Sequence, residues 1–293
     1  MAGTIDALVA HFYRTPRWLA MNAASQATYR GIIERFRDGR NKRGQRYGSL
    51  PVALVETRHL DRILGSMAAT PAAANNLRKV MKRLFACAQK IGMRSDNPAT
   101  LTDGFKAGAG WHTWTDDEIE QYRATHALGT RARLTMELAL NTSGRRCNIA
   151  ALERTQLRRG KFHIEHVKGC DPAVITASAE TIAAIEAMPV TGIGHFIVTE
   201  FGKPFSVAGL GNKFRDWCNE AGLQHCSMHG LRKAQSRRLA ESGSTDAQGR
   251  AVTGHKKDST FAYYAAKANR ESLADTAMAN LANHEMANPQ NTV

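Results

Sequence analysis

Six side chains of this 293-residue chain have types and settings suited to work on a phosphate ester. Arg145 lies in NTSGRRCNIAAL. Lys168 closes a run of alternating apolar and polar residues. His229 and Arg232 form H-G-L-R. His255 sits in TGHKK, and Tyr264 follows it by nine residues. The set holds cations, neutral donors and one phenol, with no acidic cluster to hold Mg²⁺. Two guanidinium forks can clamp the nonbridging oxygens of a phosphodiester. Their charge counts most where negative charge builds in the pentacoordinate state. A histidine can donate to phosphate or move a proton. A phenol can attack phosphorus and store the bond as a phosphotyrosine ester.

Several other chemistries lose support. The sequence has no Walker loop, no Rossmann glycine fingerprint and no H-E-x-x-H. Cys218, His225, Cys226 and His229 can be drawn as a metal cluster, but their irregular spacing does not match a zinc framework. No cofactor is expected. The five cysteines, Cys87, Cys147, Cys170, Cys218 and Cys226, are scattered, which argues against a disulfide framework and for a reducing cytoplasm. No apolar run is long enough to span a membrane, and the N-terminus does not read as a signal peptide.

The charge indicates a polyanionic partner. The chain carries +14 formally, with 18 Lys/Arg against 7 Asp/Glu in residues 1–110 and 22 against 19 in the rest. In Asn75–Ile91, Leu77, Val80, Met81, Leu84, Phe85, Ala88 and Ile91 form a helical stripe. The other side carries Arg78, Lys79, Lys82, Arg83 and Lys90. Arg78/Lys82 and Lys79/Arg83 are like-charge i,i+4 pairs, each weakening an isolated helix by about 0.2–0.5 kcal/mol. A phosphate against that face would reverse the sign, so Arg78, Lys79, Lys82 and Arg83 are the candidate DNA-binding residues.

The elements that must position these residues are mostly helices. Periodicity gives helices over 4–13, 25–36, 58–67 and 75–91, with Ser25 as an N-cap. TLTDGFKAGAG after Asn97-Pro98 reads as a linker. Thr115 and Glu118 form a capping box. Further helices are expected at 116–126, 130–141, 146–153, 179–187, 206–221, 230–242 and 267–282. A β-hairpin pairs Lys161–Lys168 with Ala173–Ala177, and 195–200 adds a short strand. The fold class is mostly α with a small β-hairpin or sheet. The expected division is 1–98 helical, 99–113 linker, 114–283 mixed, and a mobile tail at 284–293.

These blocks, in this order, resemble the tyrosine recombinase (phage integrase) family over about residues 4–282. TSGRRCNIAAL is similar to the family's TGxRxxEIxxL, HGLRKA to its H-x-x-R box, and TGHKKDSTFAYY to its GH box with a tyrosine nine residues on. IEHVKGCDPAVIT looks like its β-hairpin. Asn148 departs from the family's acidic residue, and Ser143 stands where glycine is common, with Gly144 displaced by one. The resemblance implies a core-binding domain followed by a catalytic domain. It implies Arg145, Lys168 (general acid), His229, Arg232, His255 and Tyr264 (nucleophile) as catalytic residues. Arg146 is the alternative arginine, and Tyr263 the alternative nucleophile.

The implied function is site-specific DNA recombination without metal or ATP. Its partners would be double-stranded attachment sites, three further copies in a homotetramer, and accessory DNA-bending factors, in a bacterial nucleoid-associated setting away from any membrane. A catalytically silent DNA-binding regulator and a type IB topoisomerase-like relaxase remain as alternatives.

Overall fold

The computed structural model describes residues 3–106, 108, 110–165, 171–189, 194–256, 261–263 and 270–287. The chain divides into two compact units, Met1–Gly110 and Trp111–Val293.

The first unit is helical. Its helices are α1 (Ile5–Phe12), α2 (Pro16–Leu19), α3 (Ala23–Asp38), α4 (Thr57–Gly65) and α5 (Pro71–Lys90). The Thr4 hydroxyl caps α1, which buries Ile5, Leu8, Val9 and Phe12 on one face. The cap of α3 is Asn22, whose side chain accepts from Ser25 N–H, so Ser25 is the capped residue rather than the cap. Pro71 opens α5, four residues before the periodic stripe begins, because its fixed φ suits a first turn. Of the stripe, Leu77, Val80, Met81, Leu84, Phe85 and Ala88 are buried, while Ile91, the C-cap, is half-buried. Each large apolar side chain so buried contributes roughly 1.5–3 kcal/mol.

The expected linker 99–113 is divided between the units, with the whole Gly-rich tract, 100–110, in the first and 111–113 in the second. Phe105 N–H donates to Asn75 Oδ1 at 3.0 Å, and Asn75 Nδ2 donates to Phe105 O at 2.9 Å, which fixes 99–105 on α5. Trp111 and Trp114 are held in the second unit.

In the second unit, α6 (Asp116–Thr125) starts with the expected capping box. Next come α7 (Arg131–Asn141) and α8 (Arg146–Ala150). An antiparallel sheet follows, ordered β1 (Leu157–Arg158), β2 (Lys161–Ile164), β3 (Ala173–Thr176). The hairpin register pairs Phe162 with Ile175 and Ile164 with Ala173, so one face enters the core. Residues 195–200 are not a strand; they make only isolated bridges, Glu153↔His195 and Val198↔Pro204. Then come α9 (Ala179–Glu186), α10 (Val207–Glu220), α11 (Met228–Glu241) and α12 (Asp246–Thr253). The last described helix, Arg270–Ala287, makes His284–Ala287 helical rather than part of an aperiodic tail. Among the described residues, no helix is long and apolar enough to cross a membrane.

Helix α7 is the hub and packs against α9 and α11. It is buried nearly all round, including Glu137. Arg123 Nη2 and Arg133 Nε lie 2.8 and 2.7 Å from the Glu137 carboxylate, so the buried charge is paired twice.

Candidate active site

The site is built on the ends of three helices. The turn between α7 and α8 carries Arg145, at the N-cap position of α8. Ser143 there has φ +51°, in the left-handed region. This is the position that the resemblance aligns with a glycine, the residue that enters such a conformation without steric cost. The left-handed turn therefore falls at that aligned position. Arg145 is half-buried, whereas Arg146 is exposed and its guanidinium lies against Gly211 of α10.

His229 and Arg232 lie in the first turns of α11, which starts at Met228 rather than at the expected 230 because Ser227 caps it. Gly230 lets this helix meet the preceding chain: a Cβ there would come within 2.7 Å of Trp114 Cδ1. Arg232 is 1% exposed, and its Nη1 donates to Ser143 O at 2.5 Å. That bond joins the H-x-x-R helix to the Arg145 turn.

His229 is held below the usual imidazole pKa, first by burial and then by the charges of Arg232, Arg145 and Lys233. Lys233 was not anticipated as a member of this cluster. It is buried, donates to Trp111 O at 2.6 Å, and its Nζ lies 6.0 Å from the centre of the Tyr263 ring. Its only sequence signal is its place directly after Arg232. The Trp111 ring meets His229 edge-on, with centroids 6.3 Å apart.

His255 follows α12, whose C-cap Gly254 has φ +67°. It is buried, with Nδ1 2.8 Å from Thr253 Oγ1. Asp171 N–H donates to Gly254 O at 3.2 Å, which ties the hairpin end to the His255 loop. Phe261 is buried against Gly249 of α12, where any side chain would overlap its ring. Tyr263 is exposed. Lys168 and Tyr264 lie outside the described residues.

The candidate DNA-binding residues of α5 are placed unequally. Arg78 Nε donates to Thr102 O at 2.8 Å, and Arg83 Nη1 donates to the Tyr29 hydroxyl. Lys79 is exposed and Lys82 half-buried. Arg40, Lys42 and Arg43, in the basic turn after α3, are also exposed.

Buried Arg232 and Lys233 beside His229, with half-buried Arg145, form a cationic grouping that can hold an anion. The phage integrase family model matches residues 114–271, and the chain belongs to that family. Among solved structures it is similar to a lambda integrase dimer bound to a COC′ core site, at 19% identity and TM-score 0.78, covering 91% of this chain and 97% of that one. It is also similar to a lambda integrase tetramer bound to a Holliday junction, at 19% and 0.75, covering 87% and 78%. The Tn1549 transposon integrase in complex with a circular intermediate DNA matches at 15% and 0.75, covering 95% and 100%. None of the curated proteins matches the sequence significantly.

Proposed function

We propose that this integrase-family protein is a site-specific DNA recombinase that cuts and rejoins strands through a 3′-phosphotyrosine intermediate. The observation that carries this reading is the bond from Arg232 Nη1 to Ser143 O, which joins the helix bearing His229 and Arg232 to the Arg145 turn, where their charges hold the His229 pKa down. The scissile phosphate would sit among these groups. Arg145 and Arg232 would hold its nonbridging oxygens, and their charge would stabilise the phosphorane more than the ground state. His229, neutral in the free protein, would exchange a proton with the reacting oxygens. His255 would donate a hydrogen bond to a nonbridging oxygen.

Tyr264 would supply the nucleophile. A free phenol with pKa near 10 is only about 0.1% ionised at neutral pH, so positioning and electrostatics must carry the acceleration. Its oxygen bonds to phosphorus, the 5′ oxygen leaves, and Lys168 protonates it. Attack by a partner strand's 5′ hydroxyl reverses these steps and releases the phenol. The phosphoester bond is conserved throughout, so no fuel is consumed. Strand exchange between two duplexes needs two half-sites on each, hence four protomers. The lambda integrase tetramer on a Holliday junction offers a precedent. Duplex attachment DNA is the partner, with accessory bending factors in addition.

The test is strand cleavage in excess chelator. Arg145→Ala should lose cleavage by orders of magnitude, as removal of a transition-state charge partner does. Arg146→Ala should retain it. The reverse outcome would move the clamp to Arg146 and overturn the assignment.

A further inference from the structure

Glu118 does more than cap α6. His112 Nε2 lies 2.8 Å from its Oε2, and His225 Nε2 lies 2.6 Å from its Oε1. The two imidazole rings stand 4.7 Å apart. One ligand atom from each of His112, Glu118, His225 and Cys226 lies within 4.8 Å of all the others. We propose that these four side chains form a binding site for a zinc-class divalent transition metal.

The donor set fits the cation. Two imidazole nitrogens, a thiolate and a carboxylate oxygen suit a borderline-soft, four-coordinate ion at about 2.0–2.3 Å from each donor. In a tetrahedron of that size the donors stand roughly 3.3–3.8 Å apart, so the widest pair must close by about one ångström. His112 and His225 are exposed and can rotate to do so. Cys226 is buried and fixes one corner. Thr115 N–H donates to Glu118 Oε2 at 2.8 Å, the outer contact that orients a ligating carboxylate.

On binding, the thiol proton leaves to solvent and a sulfur–metal bond forms. Any proton on Nε2 of either imidazole passes to Nδ1 or to solvent, which frees Nε2 to ligate. No electron is transferred. These ligands differ from those the local sequence suggests, since His112 and Glu118 come from the start of the unit and Cys218 and His229 take no part. The site lies beside the anion cluster. His112 follows Trp111, whose ring meets His229, and Cys226 precedes His229 by three residues. An ion would therefore lock the entry of the second unit to the loop that launches α11. It would set the position of His229 without touching DNA.

The full-length protein, freed of metal, should be titrated with Co²⁺ and, by mass spectrometry, with Zn²⁺. The expected result is one ion per chain, with a thiolate-to-Co²⁺ charge-transfer band and the visible bands of tetrahedral Co²⁺. Cys226→Ser should abolish the charge-transfer band. The double variant His112→Gln/His225→Gln, which alters only exposed side chains, should abolish stoichiometric uptake while leaving its circular dichroism unchanged. No uptake at equimolar metal would overturn the proposal, as would uptake or a charge-transfer band that persists in the double variant. The first result would leave a proton-held His–Glu–His cluster, and the second would place the ion elsewhere.

Discussion

Replacing Ser143 by glycine should stabilise the second unit. Two costs are visible at this residue. Its backbone is left-handed at φ +51°, which costs a residue with a Cβ roughly 1–2 kcal/mol. Its buried Oγ also has no hydrogen-bond partner among the described residues, a burden of about 1–3 kcal/mol. Glycine removes both, but gives the unfolded chain more freedom, a loss of about 0.4–1 kcal/mol. The net gain is on the order of 1–5 kcal/mol, or about 2–4 °C in Tm per kcal/mol for a unit of this size. Ser143→Ala separates the contributions. It removes the hydroxyl and keeps the Cβ, so it should recover only the hydroxyl share. Denaturant unfolding followed by tryptophan emission suits the measurement, because Trp111, Trp114 and Trp217 report on this unit and only Trp18 on the other. A Ser143→Gly protein no more stable than Ser143→Ala would refute the strain assigned to the turn, and with it the structural support for the Arg145 register.

Two further outcomes follow from the same geometry. The His229 ring should titrate below the free imidazole value of about 6.5 in an NMR pH series, and Lys233→Met should move its midpoint upward; a midpoint at or above 6.5 would contradict the cationic cluster. Because the unfolded state then binds the proton more readily, this residue's contribution to stability is full above 6.5 and is lost as pH falls through that window. On the first unit, Lys79→Ala with Lys82→Ala should flatten the slope of log binding constant against log salt by about 1.8, at roughly 0.9 per phosphate contact. An unchanged slope would place that face of α5 away from DNA.

The large helices were legible because their stripes repeat at 3.6 residues, as the buried face of α5 shows. Helix α12 was missed for the opposite reason. Its buried residues are Gly249 and Thr253, so it packs through small side chains and carries no apolar stripe. The segment 195–200 holds a short Phe-Ile-Val run that suits a strand, but only single bridges form there. The grouping of Arg145, His229 and Arg232 was legible only through an ordered set of blocks, since each alone reads as an ordinary surface or core residue. A basic stripe fixes which face the cations occupy but not their partners, so the sequence could not separate Arg78, spent on Thr102, from exposed Lys79. The His112–His225 pairing joins positions 113 residues apart in the chain, a proximity that no local spacing encodes.

The most direct measurement is chemical. The protein should be incubated with a nicked suicide duplex carrying the ends of its own element, digested, and the DNA-linked peptide sequenced by mass spectrometry. Phosphotyrosine at Tyr264, absent from the Tyr264→Phe protein, is the expected result. A link at Tyr263, or cleavage with no covalent adduct at all, would contradict the account.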